Sequence, residues 1–388
     1  MSATTTRATS PNVTSPKPCL SREERMRLFA EELDALRLQT FAKVGRDDVT
    51  HVKRVRRFSM AMEVLGRAAI HCSIDPVTFA AGVTALWLHK QLEATEIGHT
   101  VLHGAYDGLE GAAAFASKAF RWDIPIDEAA WREGHNVKHH GATNVAGLDP
   151  DMCFGEVRLT EQSGWTPRQR HQLPVLLGLI FPAFAFVMNS HFTGLNDVVL
   201  GHGDTLGDRS TASVRRAWER ALRKYVPYYF KNYVFFPALA GPMFGKVLLG
   251  NALAELGRDL YSAATIVCGH VGPEVKSWPA GTRAHGRGEW YAMQVEASND
   301  FAVVLPLSIL CGGLDHQIEH HLFPTLAPPR LREIAPRVRQ ICERYGVDYR
   351  RETWATTLRK AFRHIGSLSY EGARSVASHG SGEVERAA

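Results

Sequence analysis

The chain has 388 residues, a formal net charge of +5 and 45% hydrophobic residues, enough to bury a sizeable core as one large domain or two. The basic excess is too weak and scattered for nucleic acid, which is excluded as a partner, and it suits a face resting on anionic lipid headgroups. Six cysteines (Cys19, Cys72, Cys153, Cys268, Cys311, Cys342) lie far apart with no CxxC pair, which argues against a disulfide framework or a structural zinc site and for a reducing compartment.

Residues 1–20 are Ser/Thr/Pro-rich without an apolar stretch and read as a disordered tail rather than a cleaved signal. The end of the chain from residue 367 reads the same way, which leaves 21–366 as one domain. Ser21 to Arg46 is charged and amphipathic, as expected of a cytosolic helix. A basic run (Lys53, Arg54, Arg56, Arg57) then leads into a helix near Met60–Ile70. Val77–Leu88 is about half a membrane span, and its helix can run on through Gln91–His103 into water. Leu173–Phe192 has about the length a bilayer requires and carries no Asp, Glu, Lys or Arg. Two further apolar stretches, Val226–Leu249 and Ala252–Val271, are interrupted by Lys231, Lys246, Glu255, Arg258 and Asp259. Phe301–Leu314 is too short to span and is expected to pack under a site or lie at the interface. The basic segments Arg209–Lys224 and Arg330–Arg351 belong in the cytosol by the positive-inside tendency. The expected architecture is all-α: a multi-span helical bundle in the cytoplasmic membrane with a cytosolic helical cap.

Histidine is the unusual residue, at 18 copies. His99 and His103 stand four apart in EIGHTVLHG. His135, His139 and His140 form HxxxHH in EGHNVKHHGATN, and His316, His320 and His321 repeat that spacing in GGLDHQIEHHLFP. Residues four apart on an α-helix share a face, so both imidazoles can turn to one ion. The adjacent third histidine points about 100° around the helix, toward a second ion or the far side of the first. Two HxxxHH segments arise together in fewer than about 1 in 1,000 chains of this histidine content, so a metal site is the better account. Imidazole suits Zn, Cu, Fe and Ni alike. Eight ligands exceed what one ion uses and favour a dinuclear centre; the lipid setting favours O2 chemistry and hence iron. Glu96, Asp107, Asp149, Asp151, Asp315 and Glu319 are candidates to accept the second ring N–H of a ligand. Asn299 is a further candidate for the site, with an ordinary turn role as its alternative.

HxxxH, HxxxHH and QIEHHLFP in this order, with TNVAGLDPD and MQVEASNDF around them, resemble the membrane fatty acid desaturases from about Ile97 to Pro324. The resemblance is closest to the bacterial acyl-CoA and acyl-lipid branch. It implies a four-span fold with a cytosolic cap holding two Fe ions, O2 as co-substrate, and a fatty acyl-CoA or acyl-lipid substrate that gains a double bond. It implies reducing equivalents from a ferredoxin, a flavin reductase or a cytochrome b5-like donor; without an HPGG segment a fused cytochrome b5 domain is not expected. It also implies a ninth histidine ligand near the end of the last membrane helix, where His270 stands, and no catalytic residue beyond the metal centre. A hydroxylase or ketolase on the same scaffold, and a non-catalytic metal-binding membrane protein, are the alternative readings.

Overall fold

A computed structural model describes residues 20–370, other than 155–156, 202 and 204, and the expected tails lie almost wholly outside these. Its first long element pair is a hairpin of helices Arg46–Cys72 and Pro76–Leu92. Asp75 sets the turn: its Oδ1 accepts the N–H groups of Val77 and Thr78 at 2.8 and 2.9 Å, and Pro76 occupies the first helical position, where no N–H is missed. The two backbones touch at glycines. A Cβ on Gly66 would lie 2.6 Å from the Leu86 nitrogen, and one on Gly82 would lie 2.8 Å from that of Ile70. Helix Phe244–His270 packs along the second arm of this hairpin.

The interrupted apolar stretches resolve differently from the sequence expectation. Val226–Leu249 is not one helix. Helix Thr211–Phe230 runs into a π-helical turn Lys231–Phe235 and a short helix Phe236–Leu239, and the chain breaks at Gly241–Met243 before Phe244–His270 begins. Pro237 and Pro242, which cannot donate to a preceding turn, account for the break. In helix Phe244–His270 the charges turn inward: Glu255, Arg258 and Asp259 are buried, while Leu249, Leu253 and Leu260 are exposed. Lys90 meets Glu255 across the helix pair, Nζ to Oε2, at 2.7 Å. By length and composition one helix among the described residues, Pro167–Phe192, is long and apolar enough to cross a membrane. It loosens to π winding at Leu176–Ile180 and tightens at Phe181–Ala183 around Pro182; the Ala185 N–H donates to the carboxylate of Asp259 at 3.0 Å.

Helices Arg22–Phe41, Arg287–Glu296, Gln317–Leu322 and Pro328–Tyr345 form a cap around Phe29, Leu33, Tyr291, Ile318 and Val338. A short parallel pair, Asp300–Ala302 with Arg351–Thr353, ties the cap to the last helix, Trp354–Ser367. Phe301–Leu314 packs under the first histidine segment. The Leu310 carbonyl accepts from Gln91 Nε2 at 3.0 Å and Thr95 Oγ1 at 2.8 Å. Gly312 (φ +68°) brings this backbone so close that a Cβ there would lie 2.6 Å from the Thr95 carbonyl carbon.

Candidate metal centre

The first two histidine segments are wound as π-helices, Glu93–His99 and Arg132–His139. The second starts from a capped turn, with Asp127 accepting the Ala130 N–H, and ends with the His140 N–H bonded to the His135 carbonyl. On an α-helix His140 would point away from His139. The wider π winding, frequent at functional sites, seats both beside His135, with ring centroids 4.9 and 5.0 Å away.

Three segments bring the rings into two groups. Donor nitrogens of His99, His103, His135 and His320 lie within 4.8 Å of one another, and so do those of His139, His140 and His321. His270, the last residue of its helix, joins the second group with Nε2 3.0 Å from that of His321. The His140 ring sits between the groups, 4.8 Å from His103, 4.9 Å from His320 and 4.3 Å from His321. Trp131 stacks on His135 at 4.6 Å.

These rings fit metal ions. His135 Nε2, His139 Nε2, His320 Nε2 and both nitrogens of His140 are buried without a hydrogen-bond partner, an unfavourable state that a coordinated ion relieves. Burial holds His99 down at about 3 and holds His103, His135, His140, His320 and His321 well below the ordinary histidine value. They are therefore neutral imidazoles, the form that ligates. His139 behaves differently. Burial opposes its protonation, but Asp149 and Asp151 outweigh it and lift the ring to about 9. Its Nδ1–H donates to Asp149 at 2.9 Å, which leaves Nε2 free to face an ion. Asp151 lies 3.1 Å from His135 Nδ1 and acts likewise.

Eight of the nine expected histidines thus come together, and His316 does not. Its Nδ1 faces Asp300 at 3.6 Å and Glu319 at 3.7 Å, and its Nε2 faces Asp315 at 3.6 Å. Burial works against its proton, yet these carboxylates raise it to about 10, and its ring groups with Asp300 and Glu319 rather than with the other histidines. The sequence reading missed Gln317. Its amide nitrogen lies 2.7 Å from His270 Nε2, and its Oε1 is buried without a partner. The available signal was its place three and four residues before His320 and His321, on their face of one helix.

Of the other candidates, Glu96 holds His51 at 2.6 Å and Asp107 caps Ser117 at 2.7 Å. Asn299 fills a turn, its N–H donating to the Gly269 carbonyl at 2.8 Å. Asn144, in left-handed conformation (φ 57°), was also missed; its N–H donates to Asp149 at 2.7 Å and its side chain to the Lys276 carbonyl at 3.0 Å.

Beside the rings lies an apolar slot of about 120 Å3, with His99, His135, His139, His270, Gln317, Arg258 and Asp259 in its lining. Its walls include Ile124, Leu176, Phe184, Met188 and Val267. Met152, Val157 and Phe192 line both this slot and a larger polar vestibule, whose basic residues include Lys138, Arg216 and Arg220.

A helical chain with eight histidines grouped beside an apolar slot defines a narrow class of protein. The fatty acid desaturase family model matches residues 76–353. The NADPH-dependent stearoyl-CoA 9-desaturase of Mycobacterium tuberculosis is 32% identical over 348 residues, which cover 88% of this chain and 79% of that protein. The sn-1 linoleoyl-lipid 6-desaturase of Synechocystis is 24% identical over 264 residues (66% and 70%), and the acyl-lipid (8-3)-desaturase of Physcomitrium patens 28% over 309 (72% and 59%). The chain belongs to the fatty acid desaturase family and is an oxidoreductase of that family.

Proposed function

We propose that this protein is a membrane-embedded desaturase that inserts a double bond into long-chain acyl-CoA, using two Fe ions and O2. The observation that carries this reading is the placement of buried, unpartnered imidazole nitrogens beside an apolar slot. His99, His103, His135 and His320 would hold one ion. His139, His140, His270 and His321 would hold the other, with Gln317 beside them. Bound there, an iron pair supplies the O2-dependent oxidation that removes two hydrogens from adjacent carbons; with O2, two electrons and two protons, those hydrogens leave as two waters.

The chain's own residues do the rest. Asp149 and Asp151 hold the Nδ1 protons and so aim the ring lone pairs. The slot presents a methylene to the centre, excludes water and fixes which carbons are reached. A long chain exceeds the slot and extends into the vestibule, where Lys138, Arg216 and Arg220 suit the phosphates of CoA. The acyl-CoA named for the mycobacterial relative agrees with this choice.

Membrane embedding, with several spans and the centre facing the cytoplasm, is supported by the sidedness of the charges. Exposed Val77, Leu249, Leu253 and Leu260 lie on helices whose Lys90, Glu255, Arg258 and Asp259 are buried, and Leu177 and Leu179 are exposed on a stretch without charged residues. Resistance to alkaline carbonate extraction is expected.

The test is the purified protein expressed with iron and assayed for metal and product. Two metals per chain and acyl products lighter by two hydrogens are expected. One metal or fewer sinks the dinuclear reading, and a product gaining one oxygen makes the enzyme a hydroxylase.

A further inference from the structure

Desaturation, the reading on which a docking site for an electron donor rests, requires two electrons from outside the acyl chain. The slot is lined by His99, His135, His139 and His270, and it meets the vestibule at Met152, Val157 and Phe192. A separate groove is lined by Ala142, Thr143, Arg283, Arg287, Trp290 and Gln294 among others. It shares no residue with the slot and only Leu148 with the vestibule.

The groove floor touches the centre directly. Thr143 Oγ1 lies 3.2 Å and Gln294 Oε1 lies 3.1 Å from His321 Nδ1, and the Thr143 hydroxyl also reaches the His139 carbonyl at 2.9 Å. Anything seated in the groove is one side chain away from a ring of the proposed metal centre. The surrounding loops are pinned in place: the Trp278 N–H donates to the Asn144 carbonyl, and the Ala146 N–H to the Trp278 carbonyl, both at 2.9 Å.

The rim is basic and partly apolar. Arg283 is exposed and has no ion pair among the described residues. Arg287 is exposed and paired with Asp34 at 2.6 Å. Trp290 and Met293 are half-buried, and Leu148 is 47% exposed. A positive edge around an aromatic patch matches a protein with an acidic face, and such pairs associate by long-range steering. We propose that this groove is the docking site of an acidic one-electron carrier protein, and that Thr143 and Gln294 are the last contacts on the electron's way to His321.

The test uses the full-length, iron-loaded protein with a plant-type [2Fe–2S] ferredoxin and its NADPH reductase. Arg283→Glu reverses the free rim charge, and Ala284→Trp fills the groove without touching the centre. Both variants are expected to lose about tenfold in ferredoxin affinity measured by direct binding, and to need correspondingly more ferredoxin for turnover. Binding to wild type should weaken with added salt more steeply than binding to Arg283→Glu. Metal content, and double-bond formation driven by dithionite-reduced methyl viologen, should stay at wild-type level. Unchanged ferredoxin binding in both variants overturns the proposal, as does an equal loss with the chemical reductant. A wild-type protein that forms no double bond with either reductant sinks the desaturase reading, whereas the binding measurement still judges the groove.

Discussion

At the scale of single residues, the decisive contrast lies between two neighbours, His316 and Gln317. The HxxxHH spacing includes His316 only if the helix has already begun there. Its backbone (φ −115°, ψ 55°) is not helical, since the chain leaves the left-handed pair Gly312–Gly313 through a tight turn, Leu314–His316. Its side chain departs toward Asp300 before the spacing rule applies. The seven other box histidines were legible because each rests on local helical geometry, whereas His270 was reached only through the family resemblance. His316→Asn is therefore expected to retain both metals, whereas His140→Ala, which removes the ring between the two groups, should lose both; metal analysis of the purified variants decides. Asp149→Asn should lower metal affinity about 10- to 100-fold, read by competition with a chelator, because it frees the His139 ring to turn.

At the scale of elements, the histidine segments depend on close packing that no periodicity reveals. Gly98, inside the first π-helix, lies against Trp122, whose indole N–H donates to the Glu93 carbonyl at 2.7 Å. A Cβ at 98 would fall 1.7 Å from that nitrogen. Gly98→Ala is thus expected to cost at least about 1–3 kcal/mol, the range for overpacking a core, and to lower the unfolding midpoint together with metal content. If its midpoint equals that of wild type, the π segment is less constrained than its packing indicates. The helices themselves were readable from apolar and amphipathic stretches, such as Val77–Leu88. The winding was not, because a histidine pattern does not specify residues per turn.

At the scale of the whole molecule, the apolar stretches were visible in the sequence but their number as spans was not. Composition counts Lys90, Glu255, Arg258 and Asp259 against a span, and only the fold shows them meeting one another inside the bundle. The Lys90 ammonium also contacts the Tyr228 hydroxyl at 2.9 Å, so the pair is fully enclosed by polar partners. Removing Glu255 strands the Lys90 ammonium, whereas Glu255 without Lys90 still keeps Arg258 and Tyr228. Glu255→Gln is expected to cost about 3–5 kcal/mol, and the double change Lys90→Met with Glu255→Gln distinctly less. Thermal unfolding of both variants in detergent tests this, and a double variant no better than the single one would count against the pairing.

The π winding of Arg132–His139 also bears on how relatives are found. A π turn behaves as an α-helix with one residue added. A chain one residue shorter between His135 and His139 could rewind as α and still present three imidazoles on one side, now at positions three and four apart. HxxHH and HxxxHH are then two spellings of a single constellation. A search that scores gap length alone would file as strangers chains whose metal-facing surfaces are the same.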